Sequence, residues 1–408
     1  MAFSRNVVDD KVLNISNDVR WIGVLDSEIV TFDIVMETEY GTTYNSYFID
    51  ADKKTIIETV KEKFFDTFLE KLQRLANPAD IEYIVLDHTE PDHSGSLVHL
   101  LKLAPNATVV GSGQAIKYLS DIVGHSFKNL IVKDGDTLDL GNKTLKFIAA
   151  PNLHWPDSIY TYLVEDKILF TCDSFGAHYC DKEMFDDLVG DYSDAFKYYF
   201  DVILKPFGKF MLKAIEKIED LDIHTFATGH GPILRSTWKE KVQLSKQYSE
   251  EYIAANTHQK KKALIAYVSA YGYTAEMAGL IAKGFAMAGD IETELLDIEN
   301  IALGELDAKL VSADAILVGC PTLNQNILLP VYKLFALINP LRDRGKIAAA
   351  FGSFGWSGEG PGIIDSVLKG LKLDVVEAPK AMKFRPGERN SAELIEFGKN
   401  IGEKVLAK

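Results

Sequence analysis

Cysteine is scarce in this sequence of 408 residues: Cys172, Cys180 and Cys320 are too few and too scattered for a disulfide framework. No C-x-x-C pair occurs, which excludes a cysteine knuckle as a metal site. No apolar run approaches the roughly 18–20 residues of a membrane span. The polar stretch from Met1 to Lys11 lacks the apolar region of a signal peptide. Together these absences predict a protein of the reducing cytoplasm that stays off membranes. Positive charge is also short, with Lys+Arg at 44 against Asp+Glu at 59, a net charge of -15. From Ala263 onward, 15 basic and 18 acidic residues give -3, which leaves -12 on the part before it. Such a surface repels phosphate backbones, which argues against nucleic acid as a partner. Internal repeats and low-complexity segments are absent as well.

What is present is ordinary for a globular protein, with 47% hydrophobic and 25% charged residues. The length is too great for one typical core and predicts at least two domains. In the first part, Trp21–Val35, Thr43–Ile49, Ile81–Leu86, Asn106–Val110, Leu138–Ala149, Tyr160–Val164, Ile168–Thr171 and Thr225–Thr228 read as strands. Lys54–Leu75 and Tyr192–Glu219 read as helices, and Trp238–His258 as a polar helical tail. Strands and helices interleave without a strict rhythm, which suggests an α/β sandwich over 1–258. Gln259–Lys262 reads as a charged linker.

After it the rhythm becomes regular over 259–408. Ala263–Ser269, Ile291–Ile298, Ala315–Cys320, Ile347–Gly352 and Asp374–Ala378 are candidate strands. Helical patterns begin near Thr274, Ala302, Leu329, Gly362 and Ser391. This alternation predicts a doubly wound parallel sheet.

The strand Ile81–Leu86 runs into Asp87-His88-Thr89-Glu90-Pro91-Asp92-His93, which sets His88, Glu90, Asp92 and His93 just past a strand end. In an extended loop, His88 and Glu90 can converge on one ion while Asp92 and His93 suit a second, and Pro91 stiffens the loop. Alone, the cluster is equally readable as a solvated acidic turn. Three more candidates follow strand ends: His154, Asp173 and His230. A carboxylate at Glu90 adds negative charge and hard oxygen ligation, which favours iron over redox-inert zinc. His99, His125, His178, His224 and His258 read as surface or core histidines, with His178 close enough to Asp173 to line a pocket, and Trp155 beside His154 shaping it. Cys172 reads as a small buried residue, Tyr198 and Tyr199 as aromatic core near the site.

The ligand order H-x-E-x-D-H followed by distant His, Asp and His resembles the metallo-β-lactamase superfamily over roughly the first 250 residues. More closely it resembles the flavodiiron branch. The resemblance implies an N-terminal metallo-β-lactamase-like αββα sandwich with two irons per chain. One iron takes His88, Glu90 and His154, the other takes Asp92, His93 and His230, and Asp173 bridges them. In some members the counterpart of His93 turns away from the metal.

In the second part, Ser269-Ala270-Tyr271-Gly272-Tyr273-Thr274 lies between a strand and a helix, a position where backbone N–H groups and the helix dipole favour a phosphate. Pro321-Thr322-Leu323-Asn324 and Ser353-Phe354-Gly355-Trp356-Ser357-Gly358 follow two further strands. All three loops fall at the switch-point crevice of a 2-1-3-4-5 sheet, and Trp356 is placed to stack on a planar ring. No G-x-G-x-x-G follows the strand, so a dinucleotide is disfavoured. The loops resemble those of flavodoxins over roughly Ala263–Lys408, which implies FMN.

Joined, the two resemblances imply an oxidoreductase that reduces dioxygen to water or nitric oxide to nitrous oxide. Electrons pass from an external carrier, a rubredoxin-like protein or a reduced deazaflavin, through FMN to the irons. They also imply a head-to-tail homodimer or a dimer of dimers. Two rival classes are a zinc hydrolase fused to a flavodoxin-like module and a non-enzymatic electron carrier. Glu90 counts against the first and the complete ligand set against the second.

Overall fold

The computed structural model describes residues 11–32, 36–255 and 260–408. The chain divides into two compact units, Met1–Ile253 and Ala254–Lys408.

The first unit is built on two sheets. One has seven strands, in spatial order Leu13–Asn14, Val19–Trp21, Tyr47–Ile49, Thr55–Ile57, Tyr83–Val85, Thr108–Gly111 and Asn129–Ile131. The other has five, in order Thr137–Asp139, Thr144–Ala149, Ile159–Leu163, Ile168–Cys172 and Thr225–Thr228. Trp21, Tyr47, Ile57 and Val85 from the first sheet pack with Phe147, Ile168 and Phe170 from the second in one core. Helices Phe65–Gln73, Leu97–Leu103 and Gly113–Val123 cover the outer face of the first sheet. Ser193–Tyr199 and Gly208–Ile218 cover the second. Each sheet thus buries both faces, giving an αββα sandwich.

Two parallel ladders position the site. Tyr83–Val85 lies between Thr55–Ile57 and Thr108–Gly111, with Ile84 opposite Ile56 and Val109. Ile168–Cys172 runs parallel to Thr225–Thr228. The Ile159 amide donates to the Asp87 carbonyl at 2.9 Å and ties the carboxyl end of one sheet to the other.

Local structure of the first unit departs from the expectations in five places, the first being Leu138–Ala149, which is a hairpin of two strands, Thr137–Asp139 and Thr144–Ala149. Trp21–Val35 is not one strand: it breaks into Val19–Trp21, Val24–Asp26 and Thr31–Phe32, and residues 33–35 lie outside the described residues. Lys54–Leu75 opens as the strand Thr55–Ile57, because its β-branched residues are fully buried between two neighbours. The helix proper waits until Phe65. Tyr192–Glu219 is two helices joined by a wide π turn at Phe200–Leu204 and a tight turn at Lys205–Phe207, where Pro206 supplies no N–H. Pro91 starts a short helix, Pro91–Ser94, so Asp92 and His93 sit on a helical turn instead of an extended loop.

In the second unit five parallel strands run in spatial order Glu292–Asp297, Lys262–Tyr267, Ala315–Gly319, Ile347–Phe354 and Asp374–Val375, the 2-1-3-4-5 order. The expected last strand is split, and a further strand, Lys380–Lys383, pairs with the far end of Ile347–Phe354. Helices Tyr273–Ala288 and Glu388–Ala407 cover one face, and Leu303–Ser312, Leu329–Leu337 and Gly360–Gly370 the other. The first pair crosses so closely that a Cβ at Gly284 would meet the Ile395 carbonyl oxygen at 2.1 Å. His258 and Gln259 lie outside the described residues, while Lys260 pairs with Asp290, Lys261 with Asp314, and Lys262 opens the first strand.

Candidate metal centre and cofactor loops

The strand Tyr83–Val85 leads to His88, Glu90, Asp92 and His93. The connection after Thr144–Ala149 carries His154, Ile168–Cys172 ends at Asp173, and Thr225–Thr228 leads to His230. All seven side chains come together at one end of the sandwich. His88, Glu90, His154 and Asp173 each offer a ligand atom within 4.8 Å of the others, and so do Asp92, His93 and His230.

Asp173 connects the two groups. Its Oδ2 lies 3.6 Å from His88 Nε2 and 3.5 Å from His154 Nε2. Its Oδ1 lies 3.1 Å from His93 Nε2 and 3.4 Å from His230 Nε2. Within the first group, Glu90 Oε2 is 3.3 Å from His88 Nε2 and 3.0 Å from His154 Nε2. Within the second, Asp92 Oδ2 is 3.4 Å from His93 Nε2 and 3.1 Å from His230 Nε2. His154 and Glu90, 22% and 14% exposed, form the side that meets solvent, while the other five side chains are at most 5% exposed.

The donor set fits two cations. Both oxygens of Asp92 and Oδ2 of Asp173 are buried without a hydrogen bond. Among the described residues no lysine or arginine pairs with Glu90, Asp92 or Asp173. Buried carboxylates in that condition cost several kcal/mol each unless a cation meets them. Their field is visible in the imidazoles. Burial opposes charge on His230, yet Asp173 and Asp92 outweigh it and push its pKa to about 10. Burial likewise opposes ionisation of Glu90, but His154 and His88 hold it far below the usual carboxylate range.

Residues that the sequence reading missed hold this cluster from behind. Asp157 accepts from the Thr89 amide and hydroxyl, each at 2.8 Å, and faces His88 Nδ1 at 3.3 Å. His230 Nδ1 donates to the Thr43 carbonyl at 2.6 Å. Glu58 accepts from the Asp87 and His88 amides at 2.6 and 3.2 Å. Asn45 Nδ2 donates to the carbonyls of Thr228 and Gly231, which fixes the turn before and after His230. Gly229 leaves no room for a side chain: a Cβ there would lie 2.9 Å from His93 Cε1. A buried acid directly after a β-branched strand was the one available signal for Glu58; Asp157 could have been suspected from its place three residues past His154.

The remaining histidines separate. His178 is buried, bonded through Nδ1 to Thr42 Oγ1 at 2.9 Å, and packs edge-on to Tyr199 and His230. Burial and the neighbouring His230 push its pKa down to about 3, so it is neutral. Tyr199 is buried and donates to Asp173 Oδ1 at 3.2 Å, whereas Tyr198 is half exposed and lines a separate cavity with Tyr40 and His178. Trp155 packs edge-on to His88 at 5.1 Å between centroids. His99 bonds Glu62 and His125 its own neighbour's carbonyl, both at the surface, and His224 is exposed; His258 lies outside the described residues. Cys172 is buried, its Sγ 3.7 Å from His93 Nδ1.

In the second unit the three expected loops all lie at the carboxyl edge of the parallel sheet. Gly272, with φ +81, turns the chain into the helix Tyr273–Ala288, and Ser269 Oγ caps the Ala275 amide at 3.2 Å. Thr274 is buried with its Oγ1 2.8 Å from Ser353 Oγ, joining the first loop to the third. Thr322 joins the second to the third, its amide donating to the Ser353 carbonyl at 2.8 Å, and its Oγ1 accepts from Gly360 at 3.0 Å. Pro321 precedes it, and Leu323 pairs with Asn326 across a tight turn in which Asn324 has φ +53. Ser353 and Phe354 belong to the strand, which runs longer than expected, and Gly355, Trp356, Ser357 and Gly358 follow it. Tyr271 and Trp356 are each 80% exposed, an unusual state for large aromatics and one suited to covering a planar ring. Phe384 adds a third exposed aromatic beside Gly355, with no warning in the polar residues around it.

Family models match both units: an ODP family beta lactamase over residues 42–231 and flavodoxin over residues 265–398. The chain is 40% identical to the flavo-diiron protein FprA2 of Clostridium acetobutylicum, covering 96% of this chain and 99% of that one. It is 33% identical to a nitric oxide reductase of Moorella thermoacetica, covering 96% and 98%. The solved rubredoxin oxygen:oxidoreductase of Desulfovibrio gigas superposes with a TM-score of 0.67 at 28% identity, covering 97% of this chain and 99% of that one.

Proposed function

The chain belongs to the flavodiiron protein family, and on that premise we propose that it reduces dioxygen to water, nitric oxide to nitrous oxide, or both. It is an oxidoreductase whose cofactors are FMN and a diiron site. We assign the irons to residues 1–258 and FMN to residues 259–408. His88, Glu90 and His154 would hold one iron and Asp92, His93 and His230 the other, with Asp173 available to both. The observation that carries this reading is the split of Asp173, whose two oxygens face the two groups separately. FMN would be held by Ser269, Tyr271 to Thr274, Pro321 to Asn324 and Ser353 to Gly358.

When bound, the irons supply the redox change and open positions for a diatomic oxidant, and FMN supplies electrons one at a time. The chain's own residues set the conditions. Asp157 and the Thr43 carbonyl orient His88 and His230, so their other nitrogens point inward. Tyr199 holds a proton at its hydroxyl beside Asp173. Trp155 and Phe207 pack against His154 and flank the solvent-facing side of the cluster.

The electrons come from an external carrier, either a rubredoxin-like protein or a reduced deazaflavin, in the cytoplasm. No helix of the described residues is long and apolar enough to cross a membrane. We further propose a head-to-tail homodimer, or a dimer of dimers, in which each FMN serves the partner's irons. The test is metal and flavin analysis together with gas consumption under a reduced donor. Two irons and one FMN per chain, with dioxygen consumed and no peroxide accumulating, are expected. Stoichiometric peroxide, or zinc in place of iron in protein from iron-replete cells, overturns the reading.

A further inference from the structure

Two imidazoles of the cluster have a fixed group on the nitrogen turned away from it: Asp157 behind His88 and the Thr43 carbonyl behind His230. Behind His93 stands Glu58. Its Oε2 lies 3.7 Å from His93 Nδ1 and is buried without a hydrogen bond. Its other oxygen is held by the amides of Asp87 and His88 at 2.6 and 3.2 Å, so the carboxylate cannot turn away. Glu58 has φ +61, a left-handed conformation that a residue with a Cβ adopts at a cost, and here it aims the carboxylate inward. The next residue grips His93 as well: the Thr59 amide donates to the His93 carbonyl at 2.9 Å, and the Thr59 hydroxyl donates to the same oxygen at 2.5 Å. Cys172 Sγ lies 3.7 Å from Nδ1 and 3.9 Å from Nε2 of the same ring.

We propose that Glu58 is a positioning residue for His93, accepting a hydrogen bond from its Nδ1–H and so holding the tautomer whose Nε2 lone pair faces Asp92 and Asp173. At 3.7 Å the two groups are in ion-pair range, and a hydrogen bond requires the His93 ring to approach the fixed carboxylate. His93 is then kept among the ligands of the second iron, and Glu58 decides that it stays there. This inference rests on the two-iron reading above.

The experiment is anaerobic titration of ferrous iron into the full-length apoprotein against a competing chelator, with Mössbauer spectra of the loaded forms. Wild type, Glu58→Gln, His93→Ala and the double variant are compared. Glutamine keeps an oxygen for the Asp87 and His88 amides but turns an N–H toward Nδ1, which forces the ring proton onto Nε2. Glu58→Gln is expected to bind one iron as wild type does and the second about tenfold or more weakly. It should alter the same Mössbauer doublet as His93→Ala, and the double variant should add nothing further. A role confined to bracing the loop would leave Glu58→Gln like wild type, because the amide bonds survive. Wild-type affinity for both irons in either single variant overturns the proposal. Wild-type protein that takes up no iron overturns the two-iron reading and this inference with it. Should Glu58→Gln fail to fold, zinc-loaded wild-type protein labelled with 15N-histidine decides the matter. A His93 proton on Nδ1 supports the proposal and one on Nε2 overturns it.

Discussion

Asp157 faces His88 as a carboxylate already fixed by two donors, with its Oδ2 3.3 Å from Nδ1 and 2.8 Å from both the amide and the hydroxyl of Thr89. The ring therefore meets an acceptor that cannot follow it, and its Nε2 is left facing Glu90 and Asp173. Replacing Asp157 with Asn lets the amide offer an N–H where an acceptor is needed. Iron affinity is expected to fall about 10–100-fold, as for other carboxylates behind a metal-bound histidine. Chelator competition measures it, and unchanged affinity in a folded variant defeats the orienting role.

Asp173→Asn removes one charged oxygen from a residue that reaches both groups. The two irons should lose their magnetic coupling, and dioxygen consumption should fall to background. Full oxygen consumption by this variant would withdraw the bridging assignment.

Glu90→His exchanges a carboxylate for an imidazole where Glu90 meets His88 and His154. In medium supplying iron and zinc equally, the variant should carry more zinc than wild type and reduce dioxygen more slowly. An unchanged metal ratio by elemental analysis counts against Glu90 as the selecting group.

Gly284→Ala places a methyl where the Ile395 carbonyl oxygen would be 2.1 Å away. The two helices must separate, at about 1–3 kcal/mol by analogy with overpacked cores. Flavin should be released at a lower temperature while the iron spectrum persists. Equal thermal release of FMN in variant and wild type refutes the tight crossing.

Mixing addresses the dimer. His88→Ala disables the irons, and Trp356→Ala combined with Gly272→Asp disables the flavin loops. Each variant alone should be inactive, and subunit exchange between them should restore part of the activity. Exchange confirmed by mass without any recovery means electrons do not cross between subunits.

Much of the candidate centre could be read from residue order because the acids and imidazoles proposed for it are unusual residues in unusual places. An acid or imidazole directly after a buried strand, as at His88, Asp173 and His230, has no packing reason to be there. The alternation of strands and helices after Lys262 was equally plain, since its three central strands are nearly all apolar. The first unit was harder. Its strands are two or three residues long in several cases, too short for a period to declare itself, and the apolar spacing that spans Thr55–Ile57 reads as helical for that reason.

Residue types, their order and the strand ends that carry them belong to the sequence alone: seven candidate ligands, a carboxylate at Glu90, and three loops suited to a flavin. Only the tertiary structure decided which oxygen meets which nitrogen. Glu58 lies 35 positions from His93, Asp157 lies 69 from His88, and Thr43 lies 187 from His230. No local pattern encodes such pairings. They arise because parallel register brings the carboxyl ends of separate strands to one edge, and burial there makes every unmatched polar atom costly enough to demand a partner.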